Sequence, residues 1–248
     1  MGKVLVLLYG VASYLIFFVT FLYLIAFVGN LDGLPFVTKT IDSGIAGPTG
    51  QALLVNTALL LLFAGTHTVM ARPWFKRRWT KIIPQAIERS TYVLVSSLTL
   101  ILLFVEWVPM IDPVWSVTNS NAAMALWVLY FGGYGMVLLS TFLINHFELF
   151  GLAQVFANLK DRRVPDLKFV SPFLYKVIRH PIYLGWIIAF WATPDMSAGH
   201  LLFAILTSAQ ILISIPHEER DIEHALGEPY ADYRKRTPML VPFMKSKE

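Results

Sequence analysis

Four runs of about 20 apolar residues constrain this chain more than any other feature: Val4 to Val28, Gln51 to Met70, Thr91 to Met110 and Ala122 to Ile144. Each is long enough to cross roughly 30 Å of hydrocarbon as a helix. A fifth apolar block, Pro181 to Pro216, is interrupted by Thr193-Pro194-Asp195 and Gly199, which predicts two shorter helices joined by a tight turn. Backbone polar groups inside a bilayer must be satisfied within their own segment, so the expected fold is all-α. It is a polytopic integral membrane protein with four full spans, a C-terminal helical hairpin and a polar tail, giving five to six transmembrane helices. The composition agrees, with only 15% charged residues in 248, where a soluble domain carries about 25%. Zero cysteines exclude a disulfide-stapled secreted module and redox chemistry on the chain's own thiols. The first run follows only Lys3, exceeds the roughly 7–15-residue core of a signal peptide and has no small-residue cleavage site after it, so it is expected to remain as a span.

The scarce charge is sorted by side. Lys3 precedes the first span; Arg72, Lys76, Arg77, Arg78, Lys81 and Arg89 lie between the second and third. Lys160, Arg162, Arg163, Lys168, Lys176 and Arg179 precede the hairpin, and Arg220, Arg234, Lys235, Arg236, Lys245 and Lys247 follow it. Thus 19 of the 20 basic residues share one side and only Lys39 lies opposite. The positive-inside rule makes that side cytoplasmic, with both termini on it, and a bacterial inner membrane is the expected location. The +4 net charge is then an orientation signal and lipid contact, not a nucleic-acid surface, and no obligate protein partner is implied. One membrane domain is expected, residues 1–144 forming the four-span part and 145–248 the inner loop, hairpin and tail.

Five of the six histidines, His67, His146, His180, His217 and His224, fall on the basic side, together with Glu148, Glu218, Glu219 and Asp221. Ionisable residues at span ends are functional candidates. The segment Tyr175-x3-Arg179-His180-Pro181-x-Tyr183-x-Gly185 brings an arginine, a histidine and a tyrosine to the first turn of a helix, with Pro181 suited to that turn. Glu218-Glu219 re-emerges beside it where the hairpin returns. A carboxylate pair facing an arginine and a histidine can hold an amino-acid zwitterion and the diol of a ribose; it can equally be an ion-pair staple of the hairpin ends. His67 has the plainer reading of a carbonyl cap, and Glu106 beside Trp107 that of an interfacial anchor.

At these residues the chain resembles the isoprenylcysteine carboxyl methyltransferase-like superfamily of membrane methyltransferases. The motifs are Arg179-His180-Pro181-Ile182-Tyr183-Leu184-Gly185, then Glu218-Glu219, then Gly227-Glu228-Pro229-Tyr230-Ala231-Asp232-Tyr233-Arg234, with Pro238 and Pro242 beyond. His67-Thr68-Val69-Met70-Ala71-Arg72-Pro73, Ile87-Glu88-Arg89-Ser90-Thr91-Tyr92 and Asn145-His146-Phe147-Glu148-Leu149-Phe150-Gly151-Leu152 resemble the methanethiol S-methyltransferase branch over nearly the whole chain. Thr68 stands where that pattern has Ser and keeps the hydroxyl. The resemblance implies S-adenosyl-L-methionine as donor, a small volatile thiol as acceptor and dimethyl sulfide as product. It implies donor contacts from Tyr175, Arg179, His180, Tyr183, Gly185, Glu218, Glu219, Tyr230 and Arg234, and no metal.

Methyl transfer to sulfur needs a thiolate, since the thiol is a poor nucleophile. A positioned base therefore helps, His146 first and His67 second, with Glu148 as an orienter. Three other readings stand beside this one. A carboxyl methyltransferase of prenylated cysteine would share the donor half. An NnrU-like protein would be similar in the His67 and His146 regions, and a haem-binding electron carrier would use those two histidines to ligate one iron. A transporter would need internal repeats, which the sequence does not display.

Overall fold

The computed structural model describes residues 2–162 and 169–242. Of the basic residues sorted above, Arg163, Lys168, Lys245 and Lys247 lie outside the described residues. Five long apolar helices form the body: α1 (Lys3–Val28), α2 (Thr49–Ala71), α4 (Gln85–Glu106), α5 (Ser120–Ile144) and α9 (Ala198–Leu226). Shorter helices are α3 (Pro73–Trp79), α6 (His146–Leu149), α7 (Leu152–Leu159), α8 (Pro181–Trp191) and α10 (Glu228–Arg236). Phe21, Phe27, Leu60, Phe104, Tyr130 and Phe203, drawn from α1, α2, α4, α5 and α9, meet in one buried cluster. On the outside, Leu54, Leu61, Val128 and Ile213 are 62–72% exposed, an apolar surface that only lipid covers without cost.

The hairpin differs from expectation in two ways. Its first arm is helical for eleven residues only, a rise of about 17 Å. Ala192 to Ser197 continue it in non-helical form, first in a turn where Thr193 N donates to Trp191 O at 3.0 Å and then as extended residues Asp195 to Ser197. The expected turn is therefore present, and a short strand stands between it and the second helix. Such backbone needs partners in a membrane, and they come from the segment before α5. Strand β1 (Pro113–Ser116) pairs antiparallel with β2 (Asp195–Ser197), and β2 leads directly into α9. Val117 N donates to Pro194 O at 2.9 Å, Ala198 N to Asp112 O at 2.8 Å and Gly199 N to Met110 O at 2.9 Å. His200, the histidine on the opposite side, is buried there and lies 2.9 Å from Phe190 O through Nε2, clamping the two arms together.

The second arm does not stop at Pro216. Helix α9 runs through that proline to Leu226, where Gly227 at φ +67° ends it. An internal proline costs a helix about 3 kcal/mol; here the continuation carries Glu219 into a buried ion-pair network. The expected polar tail is thus helical from Arg220 to Leu226 in α9 and again over α10. The described part of the inner connection holds α6, α7 and a 3₁₀ turn at Phe173–Lys176.

Antiparallel stacking gathers the starts of α1, α4 and α8 and the ends of α2, α5 and α9 at one end of the bundle. Ion pairs cross between elements there: Lys3 to Asp161 at 2.5 Å and Arg72 to Asp221 at 2.9 Å. Lys39 donates to Val105 O at 2.6 Å, at the opposite end.

Candidate active site

Pro181 opens α8 at its first turn, leaving His180 as the non-helical residue before it. That geometry presents the Arg179 and His180 side chains together to α9. Arg179 Nε donates to Glu219 Oε1 at 2.6 Å and Nη2 to Oε2 at 3.3 Å, a forked pair, while His180 Nε2 lies 2.8 Å from Oε1. Arg179 Nη1 also donates to the carbonyls of Arg234 at 2.7 Å and Thr237 at 2.6 Å. All three side chains are buried, so each charge relies on the others rather than on water. The backbone of Arg179 and His180 donates to Pro238 and Met239, which threads the segment after α10 back across the start of α8. Arg234 reaches Glu223 at 2.7 Å and Glu219 at 3.6 Å.

Glu218 precedes Glu219 on α9 and so points about 100° away. Its carboxylate accepts from the Tyr183 hydroxyl. Tyr175 bridges elements, donating to Ser140 O at 3.4 Å and accepting Tyr233 O–H on its carbonyl at 2.6 Å. Tyr230 is buried against Tyr233 and Phe169. Burial, with the nearby Glu218 carboxylate, raises the Tyr175 phenol, and burial pushes Tyr233 up to about 12. Both remain hydroxyl donors at neutral pH. A cleft of about 360 Å³ opens between Phe169 and α10, lined also by Pro229, Asp232, Tyr233 and Thr237. Its edge is the Thr237 that accepts from Arg179.

Gly185 is placed differently from the rest of the expected donor-binding set. It sits in the crossing of α8 with α5, where a Cβ would come within 2.7 Å of Gly133 O and 2.9 Å of Val137 Cγ2. Its part is to let two helices touch.

His67 and His146 occupy separate polar niches at the same end. His146 Nδ1 lies 2.8 Å from Thr141 Oγ1 and Nε2 lies 2.8 Å from Tyr14 O–H. Because Thr141 Oγ1 spends its proton on Leu138 O at 2.7 Å, it accepts from Nδ1–H, and Nε2 accepts from Tyr14. The ring is stacked on Phe142 with centroids 4.1 Å apart and flanked by Phe147 and Phe150. Burial holds the imidazole below its ordinary value. Glu148 does not orient it: that carboxylate accepts from Asn145 Nδ2 at 2.6 Å, in the turn where Asn145 caps α6. The orienting groups are hydroxyls from α1 and α5, which the motifs do not contain. His67 Nδ1 lies 3.1 Å from Ser96 Oγ, and the Tyr92 hydroxyl lies 2.9 Å from Nε2 and 3.1 Å from Nδ1. Ser96 follows Tyr92 by one helical turn, so the shared face was readable from spacing once His67 was known to meet α4. Each ring thus has two hydroxyls within 3.1 Å of its nitrogens.

The chain is 49% identical over 243 residues to the methanethiol S-methyltransferase of Mycobacterium tuberculosis, covering 98% of each. It is 44% identical over 247 residues to that of Crocosphaera subtropica, covering 100% of this chain and 95% of that one. A more distant relative is a nurim homologue of Drosophila pseudoobscura pseudoobscura, 28% identical over 178 residues and 69% of this chain. No family model and no solved structure matches.

Proposed function

Because the chain belongs to the methanethiol S-methyltransferase family, we propose that it transfers a methyl group from S-adenosyl-L-methionine to methanethiol, giving dimethyl sulfide and S-adenosylhomocysteine. The observation that carries this is identity over nearly the full length of proteins with that name. The donor supplies an electrophilic methyl on a sulfonium. Its residues here are sought in the network at the start of α8. Glu218 with Tyr183 offers a carboxylate and a phenol to an ammonium or ribose hydroxyl, and Tyr230 with Phe169 offers aromatic faces to an adenine. The cleft beside them has the size of a small-molecule site, about 300–1,000 Å³. Arg179, His180, Glu219 and Arg234 lie behind its Thr237 edge, which Arg179 holds, and Tyr175 joins α5 to α10. Gly185 acts by packing.

The acceptor half requires a base and a dry, apolar approach. His67 and His146 both stand at the right depth, each hydroxyl-bound, and the lipid-facing surface admits an apolar thiol. Excluding water favours transfer, since a cationic donor and an anionic acceptor cancel charge in the transition state. We place the basic end of the bundle in the cytoplasm of a bacterial inner membrane, where a soluble donor is available. Residues 1–144 then form the lipid-facing frame and 145–248 the donor-binding half.

The test is to incubate purified membranes with donor and either methanethiol or a prenylcysteine analogue. Dimethyl sulfide is the expected product. Methylation of the prenyl compound alone, or no product with a thiol despite S-adenosylhomocysteine binding, overturns the acceptor assignment.

A further inference from the structure

The two histidines are not equivalent in where they sit. The polar contacts of His146 run to α1 and α5, Tyr14 and Thr141, with Phe142 and Phe147 beside it and Phe150 between its ring and the Tyr92 cluster. His67 and its partner Tyr92 face the donor-side elements instead. Tyr92 is within electrostatic reach of Glu218 on α9, and of Tyr183 on α8, which is bonded to that same Glu218. Two guanidinium groups act on the same niche. Arg89 lies 5.0 Å over the Tyr92 ring and is held by Leu149 O at 2.6 Å. Arg72, held by Asp221 at 2.9 Å and by Thr68 O at 3.2 Å, also acts on both His67 and Tyr92. Met70, Tyr92 and Val93 pack together in the apolar cluster beside them, with Phe17 and Phe150 against it. An apolar niche holding a His–Tyr pair and two positive charges is chemistry suited to a small neutral molecule that must become an anion.

We propose that the acceptor thiol is held and deprotonated at Tyr92 and His67, between Arg72 and Arg89, with the Tyr92 hydroxyl as the group that touches sulfur. This rests on the methyl-transfer reading above. With Nδ1–H of His67 on Ser96 Oγ, Nε2 is the nitrogen left to take a proton; the Tyr92 oxygen lies over the ring, 2.9 Å from Nε2 and 3.1 Å from Nδ1, so the imidazole tilts to bring Nε2 onto it. As the thiol S–H bond breaks, its proton passes to the Tyr92 oxygen and Tyr92's own proton passes to Nε2. The sulfur lone pair so released forms the new S–C bond to the methyl, while the old C–S⁺ bond breaks with its pair left on the donor sulfur. The imidazolium returns its proton through Tyr92 to water after product leaves. Arg72 and Arg89 stabilise the intermediate negative charge. His146 with Tyr14 then clasps α1 to α5.

The test is Tyr92→Phe, which keeps the ring under Arg89 and removes only the hydroxyl. Three readouts are taken together: S-adenosylhomocysteine binding, kcat against pH, and the ultraviolet absorbance of thiolate on adding methanethiol at neutral pH. The groups whose charge acts on the niche are Arg72, Arg89, Glu88, Glu218 and Tyr183; they are unaltered in the variant. Donor-product binding is expected to be unchanged, kcat at pH 7 to fall about 10²- to 10⁴-fold, and the thiolate signal to vanish. The rate should then climb tenfold per pH unit as solvent supplies the thiolate, a rescue that a structural role does not produce. A wild-type kcat, or a deficit constant with pH, overturns the proposal. If Tyr92→Phe loses donor-product binding, His67→Gln is measured in the same way, and loss of binding there too makes the pair structural and overturns it. Absence of any product or donor binding in the unaltered protein is a different result, and refutes the methyltransferase reading itself.

Discussion

Substituting alanine at the α5–α8 crossing separates packing from ligand contact. A Cβ at Gly185 would lie 2.7 Å from Gly133 O and 3.0 Å from Val137 N; one at Gly133 would lie 2.7 Å from Gly185 O and 2.8 Å from Ala189 N. Ordinary contact begins near 3.4 Å, so the helices must part by about 0.7 Å, and backbone atoms cannot rotate aside. Overpacking of this kind costs about 1–3 kcal/mol, against a gain of about 0.5–1 kcal/mol for replacing a helical glycine by alanine. A Cβ added at Gly132 or Gly135 would meet nothing within 4 Å, so alanine there receives the gain alone. Thermal unfolding in detergent should therefore show Gly133→Ala and Gly185→Ala less stable than the parent, and Gly132→Ala and Gly135→Ala as stable or more so. The two crossing substitutions combined should cost less than their sum, because the first already separates the helices. Tyr183 is two residues from Gly185, so the displacement also carries its hydroxyl off Glu218 and weakens S-adenosylhomocysteine binding in titration. A Gly185→Ala protein of full stability that nonetheless loses binding would refute this reasoning, because it would mean that Gly185 touches the donor directly.

Other perturbations have defined outcomes. Glu219→Gln leaves a buried guanidinium short of its counter-charge and should cost about 3–5 kcal/mol, seen as a lowered unfolding midpoint even without ligand. Lys3 and Asp161 pair at 2.5 Å but their side chains are 50% and 77% exposed; Asp161→Asn should change stability by no more than about 1 kcal/mol. Burial holds His146 below its ordinary value, so the unfolded chain takes up its proton first. That contribution to stability is complete above about pH 6.5 and is lost as the pH falls, and unfolding midpoints of His146→Phe should decline less across that acid range than those of the parent.

The spans were legible because an apolar run of that length has few other uses. Their ends were less so. Helix α4 begins at Gln85 rather than Thr91 because Gln85 to Ser90 form a polar first turn and a half that an apolar window passes over, and it stops at Glu106 because Val108 exchanges both backbone groups with the Asn56 side chain. The β1–β2 pairing was invisible: Pro113 and Pro194 mark loops, and the strands are four and three residues long. In the site, Arg179, His180 and Glu219 were within reach of sequence reasoning because a hairpin brings its ends together. Tyr14 was not, since 132 residues separate it from His146 and only the packing of α1 on the inner connection joins them.

The network around Arg179 also imposes an order on biosynthesis. Its carboxylate partner is 40 residues later in the chain, and the carbonyls of Arg234 and Thr237 are 55 and 58 residues later. At about 5–20 residues per second, a ribosome needs roughly 3–12 s to deliver the last of them. Throughout that interval α8 enters the bilayer with a guanidinium whose final ligands do not yet exist. Until then headgroups and water serve Arg179 at the basic end of the bundle, and its buried network closes only after α9 and α10 have arrived.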